Sequence, residues 1–153
     1  MKRKALMIVI VVLAMLTLYG AAAAQDDSGR PFKTTLTGAA EVPGPGDPNG
    51  TGTASIRLNQ GQGQVCFDIT VSNIGAPTLA HIHRGAVGQA GPPVVTLTEN
   101  GTLKGCVENV SEELIKEIRQ NPEAFYVNVH NAEFPDGAVR GQLGKGGSSA
   151  KNN

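Results

Sequence analysis

The chain contains 3 histidines, and their spacing is the first sign of chemistry in it. His81 and His83 flank Ile82 in the run Leu79-Ala80-His81-Ile82-His83-Arg84-Gly85, and His130 closes the run Phe125-Tyr126-Val127-Asn128-Val129-His130. On a β-strand alternate side chains share a face, so His81 and His83 point one way while Ala80 and Ile82 point the other. Two imidazoles on one face can chelate a metal ion. A third, from a strand brought alongside, would complete a site that keeps a coordination position open. Imidazole suits copper and zinc, with copper the preferred expectation and zinc the alternative. The competing reading is structural, with the rings serving as hydrogen-bonding groups that hold loops over the strand ends. The aliphatic residues of each run define an inner face, so all three histidines are expected outward or at a strand end.

Other chemistry is sparse. Asp68, Glu133 and Asp136 are candidate carboxylate ligands or partners for ring N–H groups. Arg84 and Arg140 are the nearest basic residues; their expected role is to pair with carboxylates such as Glu41 or Glu133, and attraction of an anion toward a metal comes second. No serine, cysteine or lysine nucleophile stands beside a histidine in a recognisable motif, and nothing singles out a carboxylate pair for glycoside hydrolysis. Cys66 and Cys106 are the only cysteines. Each sits in a strand-like run, and without close C-x-x-C spacing the pair reads as a disulfide staple between strands rather than as metal thiolates.

The elements that must position these groups are mostly strands. Thr53 to Leu58 alternates, with Ala54, Ile56 and Leu58 on one face, and Val65 to Ser72 answers it with Val65, Phe67, Ile69 and Val71; Gln60-Gly61-Gln62-Gly63 is the hairpin turn between them. Further strands are expected at Phe32–Thr37, Thr78–His83, Val94–Thr98, Ala124–His130 and Ala138–Leu143. Asn100-Gly101 is a type I′ hairpin signal, which predicts that Thr102–Val107 pairs back on Val94–Thr98. Val42 to Gly50, broken by glycines and prolines, is a long loop. One helix is expected after Ser111, which can cap it, with Glu112 and Glu113 in the first turn, Leu114, Ile115 and Ile118 as an apolar stripe, and Asn121-Pro122 as the stop. Seven or eight short strands with regular turn signals predict an all-β fold, an antiparallel Greek-key β-sandwich of superoxide-dismutase-like or immunoglobulin-like type, with the helix in a connection.

Lys2, Arg3 and Lys4 precede an apolar run from Ala5 to Leu16, and Ala22 and Ala24 form an A-x-A site. This is the pattern of a secretory signal peptide over residues 1–24. The organisation expected is therefore a signal peptide, a leader at 25–31, one domain at 32–143 and a disordered tail at 144–153, in a protein that is secreted or periplasmic and free of the membrane once cleaved. Cleavage removes three basic residues and no acidic ones, which takes the formal charge from +0 to −3. That balance gives no basic stripe for a nucleic acid.

Several motifs, in order, resemble the CHRD domain, the module repeated in chordin and found singly in secreted bacterial proteins. They are Gly38 with Glu41-Val42-Pro43, Gly52-x-Ala54, Ala80-His81-Ile82-His83-x-Gly85 followed by Gly88 and Gly91-Pro92, Tyr126-Val127-Asn128-Val129-His130 followed by Phe134-Pro135-x-Gly137, and Arg140-Gly141-Gln142-Leu143. The resemblance runs from about Phe32 to Leu143 and implies an extracellular β-sandwich module with no generally established enzymatic activity; Cys66 and Cys106 are not part of the pattern. A second, local resemblance is to the copper side of copper/zinc superoxide dismutase, in His81, His83, His130 and Arg140, without the zinc-binding loop or a bridging histidine. Three functions follow as expectations. The first is an exported metal-binding protein using His81, His83 and His130. The second is a non-catalytic structural or protein-interaction module of the cell envelope or extracellular matrix. A dismutase-like copper enzyme comes last.

Overall fold

A computed structural model describes residues 31–145. The segment expected to be a signal peptide, with nearly all of the leader and the tail, lies outside the described residues. Eight strands form in chain order: β1 (Phe32–Thr37), β2 (Thr51–Asn59), β3 (Gln64–Ser72), β4 (Pro77–Arg84), β5 (Pro93–Thr98), β6 (Lys104–Val107), β7 (Phe125–Asn131) and β8 (Val139–Gln142). One α-helix, α1 (Glu112–Gln120), precedes β7. Among the described residues no helix is long and apolar enough to cross a membrane.

The strands pair antiparallel throughout, in the order β5-β4-β7-β8-β1-β2-β3-β6. The described residues are therefore all-β and antiparallel, with one α-helix. Hydrogen bonding makes one continuous sheet of the strands, in which two four-stranded halves meet at the single pair Thr37↔Arg140. The end strands β5 and β6 come back into contact, so the sheet curls almost into a barrel. The alternation seen in the sequence fills its interior: Leu36, Ile56, Val65, Ile82, Val127, Val129 and Val139 are fully buried. Ile115 and Ile118 of α1 join the same core, while Leu114 is only half-buried against it. Burying one such side chain is worth about 1.5–3 kcal/mol, so the two isoleucines hold α1 in place more firmly than its intrinsic propensity could. The Ser111 hydroxyl caps α1 by accepting from Leu114 N at 3.3 Å.

The β2–β3 hairpin forms as expected, with Gly63 in the left-handed region at φ 59°. The Asn100-Gly101 hairpin does not. A type I′ turn needs positive φ at both central residues, and here only Gly101 has it, at 75°. Asn100 instead spends its side chain on a local turn, its Oδ1 accepting from Thr102 N at 3.0 Å and from Thr98 Oγ1 at 2.8 Å. The chain then crosses from one half to the other, so β5 pairs with β4 and β6 with β3. That crossing places Cys106 directly opposite Cys66, and the two form the disulfide.

Candidate metal centre

β7 runs between β4 and β8, and its register decides which groups meet. His81 stands opposite Asn128, His83 opposite Tyr126 and Leu79 opposite His130; on the other side Asn128 faces Arg140 and Tyr126 faces Gln142. Because side chains alternate, the aliphatic residues of these strands go to the core and the polar ones gather on the opposite face. Between β4 and β8 that face carries His81, His83, His130, Asn128, Tyr126, Arg140 and Gln142.

The histidines lie on the outward face that the alternation predicts, but outward does not mean exposed. His83 and His130 are only 9% and 6% exposed, and every residue of β7 is buried. Loops roof the face and bind it through their backbones. Gly91 O accepts from His83 Nδ1 at 2.8 Å, Pro135 O from His130 Nδ1 at 2.9 Å, Ala86 O from Arg140 Nη2 at 3.0 Å, and Gly85 O from Gln142 Nε2 at 2.7 Å. The Tyr126 hydroxyl also reaches Gly91, accepting from its N–H at 3.3 Å. Gly91 is required here, since a Cβ on it would lie 1.6 Å from Arg84 O.

The three imidazoles come together. Their ring centroids are 5.4 Å apart for His81–His83, 5.0 Å for His81–His130 and 6.4 Å for His83–His130. One ring nitrogen from each lies within 4.8 Å of the others. Tetrahedral ligands about 2.1 Å from one ion sit about 3.4 Å apart, so a modest contraction would bring all three into coordination.

The roof also sets which nitrogens are free. A carbonyl oxygen can only accept, so Gly91 holds the proton on Nδ1 of His83 and leaves its Nε2 with a lone pair, while Pro135 accepts from Nδ1 of His130. His83 Nε2 is buried and has no hydrogen-bond partner. His130 Nε2 sits 3.1 Å from His81 Nδ1 and 3.0 Å from Asn128 Oδ1. All three rings are held neutral. Burial, followed by the neighbouring His130 and His83, pushes His81 down to about 4. Burial also lowers His83, against an opposing pull from the Gly91 carbonyl and the Asn128 side chain, and lowers His130 against the Pro135 carbonyl and the Asp136 charge. His83 Nε2 thus presents a free lone pair, whereas His81 Nδ1 and His130 Nε2 share one proton across their 3.1 Å contact, which a metal ion would displace on binding.

Arg140, 2% exposed, lies with its Cζ 3.4 Å from the centroid of the Tyr126 ring, and His83 stacks on that same ring at 4.8 Å and 11°. Arg140 Nη1 has no partner. Glu41, 5% exposed, is buried beside Gly137 and Gly46, where an added Cβ would come within 2.5 Å of its Cδ and 2.8 Å of its Cγ. Burial raises its carboxyl to about 7, although Arg140 pulls the other way.

Of the remaining residues singled out in the sequence, Asp136 is exposed but close enough for its charge to act on His130, and the others lie elsewhere. Asp68 forms an exposed ion pair with Lys104 at 2.7 Å, on the far half of the sheet. Arg84 points along β4 to α1, where it pairs with Glu117 and lies over the Phe125 ring. Glu133 is exposed in its loop. Arg84 and Arg140 thus make no ion pair with Glu41 or Glu133; a helix carboxylate is nearer to the first, and a loop carbonyl and a ring take the second. Sequence reasoning missed Asn128, Tyr126 and Gln142. Strand parity could have found them, since 126 and 128 share a face with His130 and 142 shares one with Arg140.

A curled antiparallel β-domain carrying three clustered imidazoles, two of them buried, under a loop roof is the class of protein that fold and site define. The chain belongs to the CHRD domain family, whose family model matches residues 32–143. No curated protein and no solved structure matches the chain.

Proposed function

We propose that this CHRD domain is an exported metal-binding protein that holds one transition-metal ion, copper in preference to zinc, through His81 Nδ1, His83 Nε2 and His130 Nε2. The observation that carries the reading is His83 Nε2, a buried lone pair without a partner in a cluster whose rings are already neutral. Leaving such an atom unsatisfied costs about 1–3 kcal/mol, which a ligated ion would recover. An all-imidazole donor set with no carboxylate favours copper by the general affinity order of divalent ions. Export is supported by the basic-then-apolar N-terminal segment and by the oxidised Cys66–Cys106 pair.

The test is titration of the purified protein with Cu(II), Cu(I) and Zn(II). The expected result is one ion per chain at sub-micromolar affinity, weakened at least about a hundredfold by His81→Ala plus His83→Ala, in line with losing two of three ligands. Micromolar or weaker binding that this variant leaves unchanged would overturn the reading.

The second reading, a non-catalytic module whose histidines hold loops, draws on the bonds to Gly91 and Pro135, which tie the roof to β4 and β7. Under it the same variant lowers the melting temperature of metal-free protein and chelators have no effect. Superoxide turnover lost in His130→Ala would mark the dismutase-like alternative.

A further inference from the structure

The outer face of the other half, β1-β2-β3-β6, is a separate surface. Inward Leu36, Ile56 and Val65 leave the alternate residues of these strands pointing out, and the register sets them in rows. One row is Thr35, Thr53 and Thr70; the next is Lys33, Ser55, Asp68 and Lys104; the third is Arg57 with the Cys66–Cys106 disulfide. An open trough of about 890 Å³ lies over this face.

Its charge is lopsided. Three cations, Lys33, Arg57 and Lys104, share it with one carboxylate, Asp68, and Lys104 already takes that partner. Among the described residues Lys33 and Arg57 are in no ion pair, and both are exposed. Between them lie hydroxyls, of which Thr53 Oγ1 and Thr70 Oγ1 bond each other at 2.8 Å. A hydroxyl both donates and accepts, as a sugar hydroxyl does, and a planar guanidinium fits a carboxylate or sulfate.

We propose that this trough binds an anionic polysaccharide, its acid groups on Lys33 and Arg57 and its hydroxyls on the threonine row. An acidic peptide fits less well. A peptide would bring carboxylates to Lys33 and Arg57 but few hydroxyls to the threonine row, whereas an acidic polysaccharide brings both. The trough is independent of the histidine cluster, which lies on the other half.

The experiment is calorimetric titration of the full mature protein with a hexasaccharide of mannuronic acid, with cellohexaose and hexaglutamate as controls. Expected are saturable binding of the uronic hexamer, weakened about tenfold or more by Lys33→Glu plus Arg57→Glu and weakened by salt as exposed charges require, and little binding of either control. His81→Ala should leave it unchanged. No binding of the uronic hexamer, binding that survives the double charge reversal, or equal binding of cellohexaose or hexaglutamate would each overturn the proposal. Both substituted residues are exposed, and an unchanged melting temperature confirms that the variant is folded.

Discussion

His83 donates from Nδ1 to the Gly91 carbonyl at 2.8 Å, and that one bond leaves Nε2 as the ring's sole unengaged donor atom. The loop between β4 and β5 thus acts on the site without supplying a ligand: it chooses the tautomer. Since a metal binds the folded site and not the unfolded chain, an ion present at a hundred times its dissociation constant should stabilise the domain by about 2.7 kcal/mol. Calorimetry should show the melting temperature rising on the order of 10 °C with copper, returning with chelator, and barely moving in His83→Ala.

Glu41 gives a pH dependence of opposite sign to that of the histidines. Its carboxyl titrates at about 7 in the folded protein against 4.5 for an unperturbed glutamate. Between those values the unfolded chain has released its proton while the folded domain retains it, so stability contributed below pH 4.5 is lost as pH rises through 7. Each pKa unit is worth about 1.4 kcal/mol, and with relaxation the loss should be about 2 kcal/mol. Glu41→Gln should match the wild type near pH 4.5 and exceed it by that amount at pH 8, read by urea unfolding at both. The histidines, lowered in the fold, cost stability as pH falls below their ordinary 6.5, so the variant should show that acid-side decline alone.

Cys66 and Cys106 are 40 residues apart and close that loop across β3 and β6. Chain-entropy arithmetic for a loop of that length gives about 4 kcal/mol as an upper value. Replacing both by serine should lower unfolding free energy by about 2–4 kcal/mol in denaturant titrations. Metal affinity should be unchanged, because the histidines lie on the other half of the sheet.

Much of this was legible in the residues and some was not. Alternation located β2 and β3 and put Val65, Phe67 and Ile69 inside, because a half-buried strand writes its two environments into every second residue. H-x-H spacing placed two rings on one face for the same reason, and the family motifs joined them to His130. Long-range partners carry no such periodic mark. Asn100-Gly101 reads as a hairpin locally, yet β5 and β6 find other neighbours. Glu117 takes Arg84 through the docking of α1, which no spacing along the chain encodes. The roof was invisible because it is built from backbone carbonyls of Gly91 and Pro135, groups every residue has.

β7 has a consequence for how the site can fail. Among the described residues it is the one strand buried along its whole length, flanked by β4 and β8. Amides in such a strand exchange with solvent only when the domain opens as a whole. His130 therefore belongs to the cooperative folding unit itself. The three-ring cluster should be lost in one transition with the fold, and no partly unfolded form should keep the sheet while surrendering the site.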